Sequence, residues 1–149
     1  MSDPAGDALH REVGARLTRH DQRYTRGRRR LIDLLASARR PLTMNDVLDL
    51  DDSLAQSSVY RNLAVLESGG AVHRIHSGDG HAHFELAEDL TEDHHHHLVC
   101  RDCGSVFDFE TTTDFEGSVS RLLGEVQAQS GFRADAHRFD LIGTCRECG

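Results

Sequence analysis

The sequence predicts an α+β chain in which helices close on a β-hairpin and a smaller α/β unit follows. Three observations carry that expectation. Apolar residues recur at helical spacing up to about residue 68, then fall in short extended runs between 72 and 86. The charge is split: residues 1–76 hold twelve Arg against ten acids and residues 77–149 five Arg against fifteen, within a net charge of −8. Four Cys form two Cys-x-x-Cys pairs, Cys100/Cys103 and Cys145/Cys148, both in the second half.

Leu9, Val13 and Leu17 predict a first helix over residues 8–20. Thr25 is a fitting N-cap for a second helix carrying Leu31, Ile32, Leu34 and Leu35, which ends before Pro41. Thr43 caps a third, with Met44, Val47 and Leu48 facing inward, and Asp49 to Asp52 form an acidic turn. Ser57 or Ser58 opens a fourth, with Val59, Leu63 and Leu66 on one face and Gly69-Gly70 as its stop. Val72 and Ile75 mark a strand, Gly78-Asp79-Gly80 a turn, and His83 to Leu86 the returning strand. Helices followed by a hairpin outline a winged helix-turn-helix over residues 1–86.

Residues 87–93 are acidic, lack apolar anchors and read as a hinge. The second unit, residues 94–149, has strand signals at 96–100 and 105–109. A helix over 113–130 follows, with Phe115, Val119, Leu122, Leu123 and Val126 as its buried stripe. Gly131 stops it, and a last strand runs from about 133 to 144.

With 149 residues, 38% hydrophobic and 28% charged, the chain falls in the soluble globular class. No apolar run approaches the roughly 18–20 residues that span a bilayer. The first 30 residues are Arg-rich without an apolar core, so no secretory signal and a cytoplasmic location are expected. Residues 11–40 hold ten Arg against Glu12, Asp21 and Asp33. Charge alone leaves open whether this basic stretch touches phosphate or is a solvated helix face.

Thiols of a cytosolic protein are normally reduced, so paired Cys suggest metal or redox chemistry. Each pair can bring two sulfurs to one ion, and two such knuckles complete a tetrahedral zinc site. The 41 residues between Cys103 and Cys145 are too many for a compact zinc ribbon. The end of the chain would have to return to the start of the unit. A redox pair would instead sit at a helix N-terminus in a βαβ unit, and two disulfides are the weakest alternative.

His94-His95-His96-His97 precedes Leu98-Val99-Cys100. On an extended backbone, side chains alternate faces, so His95 and His97 point one way and His94 and His96 the other. One tetrapeptide could thereby serve two metal sites; an exposed polar loop is the bland alternative. His73, His81, His83, Glu85, Asp108, Glu116 and His137 are the candidates to complete them. Mixed His/carboxylate ligation suits zinc, ferrous iron, nickel or manganese rather than calcium.

Together these segments resemble the ferric uptake regulator family. Ser57-Ser58-Val59-Tyr60-Arg61-Asn62-Leu63 resembles its recognition helix, Tyr24-Thr25-Arg26-Gly27-Arg28-Arg29 the opening of its second helix, and Gly70-Ala71-Val72 the entry to its wing. His94 to Cys103 resembles the His-His-His-x-x-Cys-x-x-Cys-Gly signature. Gly131-Phe132, His137, Gly143 and Cys145-x-x-Cys148 resemble the closing stretch. The resemblance covers roughly residues 9–149.

It implies a homodimer that binds palindromic double-stranded operators when loaded with metal and represses metal-uptake genes. It implies no catalysis, no small-molecule substrate and no membrane contact. Ser57, Ser58, Tyr60 and Arg61 would read the major groove, where an Arg fork suits guanine and Tyr can pack on a thymine methyl. Arg23 takes the place of a basic residue that enters the minor groove. Cys100, Cys103, Cys145 and Cys148 would hold structural zinc. Glu85, His95, His97 and Asp108 would hold a regulatory Fe2+ or Zn2+ (Mn2+ and Ni2+ also fit), and His94, His96, Glu116 and His137 a further ion.

Two departures bear on the sensed metal. Iron sensors often supply a His just before the third helix, where Pro41 stands here. Zinc sensors place a Cys at about Ala87 and an Asp ligand near His73, which makes His73 the winged unit's candidate alongside Glu85. Peroxide- and nickel-sensing members remain alternatives within the family. Outside it, His83-Phe84-Glu85 with Cys100-x-x-Cys103 superficially resembles a zinc deaminase, but Val99 replaces the expected Pro. A metal-storage protein would leave Ser58-Val59-Tyr60-Arg61 unexplained.

Overall fold

The computed structural model describes residues 4–77, 80–91 and 93–149. The first half contains α1 (Pro4–Arg19), α2 (Arg26–Ala38), β1 (Leu42–Thr43), α3 (Met44–Leu50), α4 (Gln56–Ser68), β2 (Val72–His76) and β3 (Ala82–Leu86). The second contains α5 (Glu88–Thr91), β4 (His96–Cys100), β5 (Val106–Phe109), α6 (Thr113–Ser130) and β6 (Asp140–Gly143). Among the described residues, no helix is long and apolar enough to cross a membrane.

The periodic apolar residues of the first half converge. Val13, Leu17, Leu31, Ile32, Val47, Val59, Leu63 and Leu66 are buried with Leu42, Val72 and Phe84 from the strands. Each such side chain contributes about 1.5–3 kcal/mol relative to an exposed position. Thr25 caps α2 by accepting the Arg28 amide. Thr43 and Asp46 form a reciprocal capping box that starts α3. Helix α4 begins at Gln56, one residue before the expected serines, and its N-cap Ala55 makes no side-chain cap. The helix ends at Gly69, where a Cβ would stand 2.7 Å from Cδ2 of the buried Leu17, so a larger residue would force that α1 side chain to shift. Gly70 follows with φ +74°, a left-handed conformation that side chains disfavour.

The hairpin β2–β3 forms as expected and gains a third strand, giving the order β1-β3-β2. Two-residue β1 pairs with Phe84 and His83; so short a strand carries no periodicity to read. Of the expected Gly78-Asp79-Gly80 turn, the first two residues lie outside the described ones.

Within residues 87–93, two residues are anchored on the first half where the sequence predicts no apolar anchor. Ala87 is buried and donates its amide to Ala71 O at 3.0 Å. Leu90 of α5 packs against the N-terminal core. Glu92 lies outside the described residues.

The second sheet has the order β5-β4-β6, with β4 antiparallel to β5 and parallel to β6. The closing strand is confined to Asp140–Gly143 instead of 133–144. Before Asp140, the Phe139 carbonyl still accepts from the His97 amide at 3.4 Å, but the ladder with β4 begins only at Asp140. Helix α6 spans the expected residues and stops at Gly131, φ +73°. Its apolar stripe is not buried: no α6 side chain is buried and Leu122 is 55% exposed. Leu98, Phe107, Leu141 and Ile142 are exposed as well. One helix and three short strands offer too little surface to enclose these groups within a single chain.

Candidate metal centres and DNA-reading face

The four thiols converge. Cys100 and Cys103 lie where β4 ends and turns, and parallel β6 carries Cys145 and Cys148 back to them. All four are free thiols, and Cys103 Sγ lies 3.7 Å from Cys145 Sγ. That is far beyond a disulfide bond but matches the edge of a ZnS4 tetrahedron, about 3.8 Å for Zn–S bonds of about 2.3 Å. The amide of Cys103 draws the Cys100 thiol down to about 6, towards the thiolate that a metal needs. The neighbouring thiols, Cys145 first, push Cys148 up to about 12, as expected when several sulfurs compete for negative charge. The donor set fits zinc.

The histidine run divides by alternation. One set gathers His94, His96, Glu116 and His137, the other Glu85, His95, His97 and Asp108, each with its ligand atoms within 4.8 Å of one another. In the first, His94 Nε2 lies 3.1 Å from His137 Nε2 and 3.3 Å from Glu116 Oε2, and His96 Nε2 lies 2.7 Å from Glu116 Oε1. These separations approach the roughly 3.3 Å edge of a tetrahedron of zinc-bound nitrogens. Glu116 is drawn down to about 2 by a hydrogen bond from the Thr111 hydroxyl and by contact with His96.

In the second set, His95 Nε2 and His97 Nε2 each lie 3.0 Å from a Glu85 oxygen, and Asp108 Oδ1 is 3.8 and 3.7 Å from the two rings. Glu85 and His97 are buried. Burial opposes ionisation of Glu85, but contact with His97 and His95 outweighs it and holds the carboxyl below its ordinary value. Burial raises Asp108. His97 Nε2 is buried and, among the described residues, makes no hydrogen bond of acceptable geometry despite the nearby Glu85 oxygen. A buried imidazole nitrogen without a hydrogen bond is costly unless something else satisfies it, and a cation among these donors would do so.

His73 does not join this set. It pairs with Glu85 across the β2–β3 hairpin and lines the same cleft as Glu85, His95 and His97, but its ring is not among the converging ligand atoms, and burial with the nearby Arg138 guanidinium lowers its pKa. Pro41 and Ala87 carry no side-chain donor atom and both are buried, so neither place adds a ligand. His83 Nε2 lies 2.9 Å from Gly104 O, a carbonyl it can meet as an N–H donor, linking β3 to the cysteine turn rather than to a metal set. Sequence reasoning missed two carboxylates behind the ligands. Asp140 Oδ1 lies 3.2 Å from His97 Nδ1, and Glu88 Oε2 lies 2.9 Å from His94 Nδ1. Neither belongs to a local motif.

On α4, Val59, Leu63 and Leu66 face the core while Ser57, Tyr60 and Arg61 are exposed and Ser58 is half-buried. Tyr60 is 57% exposed and so is no core aromatic. The uncapped first turn of α4 offers backbone amides suited to a phosphate. Arg23 is exposed in the loop before α2. Arg28, which sequence reasoning left unassigned, donates to the Arg23 carbonyl and, through Nε, to Asn62 Oδ1 at 3.2 Å. One side chain thus sets the Arg23 loop against α4.

A winged helix with an exposed polar helix face, a four-sulfur knuckle and two His/carboxylate clusters defines a metal-ligating winged-helix protein. The chain belongs to the ferric uptake regulator family, whose profile matches residues 19–142. It is 34% identical over 102 residues to a ferric uptake regulation protein of Shigella flexneri, covering 68% of this chain and 63% of that protein. The chain thus spans somewhat under two thirds of the length of that relative. It is 28% identical to the peroxide operon regulator of Bacillus subtilis, over 93% of this chain and 87% of that one. Among solved structures, the manganese-containing ferric uptake regulator of Pseudomonas aeruginosa superposes with a TM-score of 0.69 at 26% identity, covering 89% and 96% of the two chains.

Proposed function

We propose that this chain is a metal-responsive transcriptional repressor that binds palindromic double-stranded DNA as a homodimer in the cytoplasm, and that it is not an enzyme. The observation that carries the reading is the shared origin of the second cluster. Glu85 comes from the wing hairpin, whereas His95, His97 and Asp108 come from the sheet beyond the hinge. Residues 1–86 act as the DNA-binding unit, 87–93 as the hinge and 94–149 as the dimerisation unit. The four Cys hold structural zinc.

A cation held by Glu85, His95, His97 and Asp108 supplies the bond between the halves. Glu85 ties the wing to it, His95 and His97 tie β4, and the two wings of a dimer are then held at half-site spacing. DNA affinity rises because the ordered arrangement is populated before DNA arrives. Two imidazoles and two carboxylates without a thiolate suit ferrous iron or manganese as well as zinc. Ser57, Ser58, Tyr60 and Arg61 meet base edges and phosphates, and Arg23 the minor groove.

The test is selection from a random duplex pool by the zinc-retaining protein, alone and with Zn2+, anaerobic Fe2+, Mn2+ or Ni2+. A palindrome enriched with one metal, and lost in His95→Ala/His97→Ala, is expected. No enrichment with any metal would overturn the reading. The similarity to a peroxide operon regulator over most of the chain favours one second reading, peroxide sensing through iron-catalysed oxidation of a ligand His. Mass spectrometry for an added oxygen on His95 or His97 after peroxide treatment of the Fe2+ form separates the two.

A further inference from the structure

Helix α5 carries two adjacent carboxylates that engage opposite halves of the molecule. Glu88 Oε2 lies 2.9 Å from His94 Nδ1. Asp89 is gripped by Arg16 of α1, with Nη2 donating to Oδ2 at 2.6 Å and Nη1 to Oδ1 at 3.1 Å. Arg16 Nη1 also donates to Gly70 O at 2.8 Å, and Nε to Glu12 Oε1 at 2.9 Å. One guanidinium therefore joins α1, the turn that opens the wing strand β2, and α5. Most isolated surface ion pairs contribute little, but this Arg16 side chain is only 14% exposed and makes four hydrogen bonds through all three of its nitrogens.

The other end of the arrangement is set by imidazole chemistry. His94 Nε2 faces Glu116 and His137. When Nε2 binds a cation, the single remaining ring proton must sit on Nδ1, and Nδ1–H then donates to the acceptor waiting there, Glu88. A cation at Nε2 therefore enforces the tautomer that Glu88 accepts from, and so couples occupancy at His94 to the placement of Glu88 on α5.

We infer that Glu88 is a positioning residue for His94, and that the Glu88–Asp89 step carries cation occupancy of the His94/His96/Glu116/His137 cluster to Arg16 and so to the base of the wing. The inference rests on reading that cluster as a cation site, and it does not depend on DNA binding. Its physical content is a response at Gly70 and Ala71, at the far end, to an ion bound by His94.

The experiment uses the full chain with structural zinc retained and His95→Ala/His97→Ala as parent, so that added Co2+ reports on the His94 cluster through its visible absorption. Amide hydrogen exchange is followed at α1, Gly70, Ala71 and α5, with and without Co2+ and without DNA. In the parent, Co2+ should slow exchange at all of these. Glu88→Ala should weaken Co2+ binding by about 10–100-fold, as loss of a carboxylate behind a ligating His does. Glu88→Gln, whose amide oxygen still accepts from Nδ1–H, should recover most of it, which a merely structural role would not predict. Asp89→Asn should leave Co2+ affinity in place but abolish the Co2+-dependent slowing at Gly70 and Ala71.

Unchanged Co2+ affinity in Glu88→Ala overturns the positioning role, and persistent slowing in Asp89→Asn overturns the relay. A parent that binds no Co2+ overturns the cation-site reading itself, a distinct result. If the parent does not fold, the same titrations on the His95/His97-intact chain, read at the Co2+ equivalent that Glu116→Ala removes, apply the same criteria.

Discussion

His97 stands opposite Asp140 in the parallel pairing of β4 with β6, and its Nδ1 lies 3.2 Å from the Asp140 carboxylate. The other ring nitrogen faces Glu85 and Asp108. Asp140 thus fixes which nitrogen of His97 is offered to the cluster. Asp140→Ala should lower cation affinity of the Glu85/His95/His97/Asp108 set by about 10–100-fold, with Asp140→Asn milder because its carbonyl still accepts. Metal titration by calorimetry checks this, and an affinity equal to wild type in Asp140→Ala would falsify it.

Zinc removal should act on folding rather than on sensing. Parallel β6 reaches β4 at the end of a long excursion through α6, and the four thiols close that excursion. Cys145→Ser should release the zinc and lower the melting temperature of the second half, because binding free energy at such a site is folding free energy. Zinc content by mass spectrometry with a thermal melt tests this; full zinc content and an unshifted melt would argue against a structural site.

The exposed apolar groups of the second half call for a cover. Leu98, Phe107, Leu141 and Ile142 line one apolar cleft on this sheet, with Ile142 67% exposed, and an exposed apolar patch of this kind usually marks an interface. Ile142→Asp should shift the molecular mass from dimer to monomer in light scattering. Each aliphatic buried at such an interface is worth about 1.5–3 kcal/mol. A dimer unaffected by the substitution, or a wild-type monomer at micromolar concentration, would remove this face from consideration.

The histidine clusters predict opposite pH responses with and without regulatory metal. Hydrogen bonding to Glu88 raises His94, and although burial opposes it, contact with Glu85 raises His95 and His97. A His whose folded pKa exceeds its unfolded value of about 6.5 stabilises fully below that value and loses the contribution as pH rises through the folded one. Protein cleared of regulatory metal by a mild chelator should therefore be more stable at pH 6 than at pH 8. Loaded protein should show the reverse, because ligation needs neutral imidazole. Paired melts over this range test it, and parallel slopes for the two forms would contradict it.

Much of the molecule is encoded over a few residues at a time. Helical periodicity placed Val13, Leu31 and Leu63 in the core, and Thr25 and Thr43 cap the helices they precede. Alternation along an extended backbone was enough to divide His94 and His96 from His95 and His97, and the Cys-x-x-Cys spacing to propose one shared ion. The rest depends on contacts between distant segments, which leave no local signature. Only the register of β6 beside β4 puts Asp140 behind His97. Only the packing of α5 on the first core turns Glu88 towards His94 and Asp89 towards Arg16. Hairpin pairing places His73 beside Glu85, yet its ring stays outside the ligand set. The helical stripe of α6 was legible as apolar, but periodicity states which side chains seek cover and not whether their own chain supplies it; here it does not.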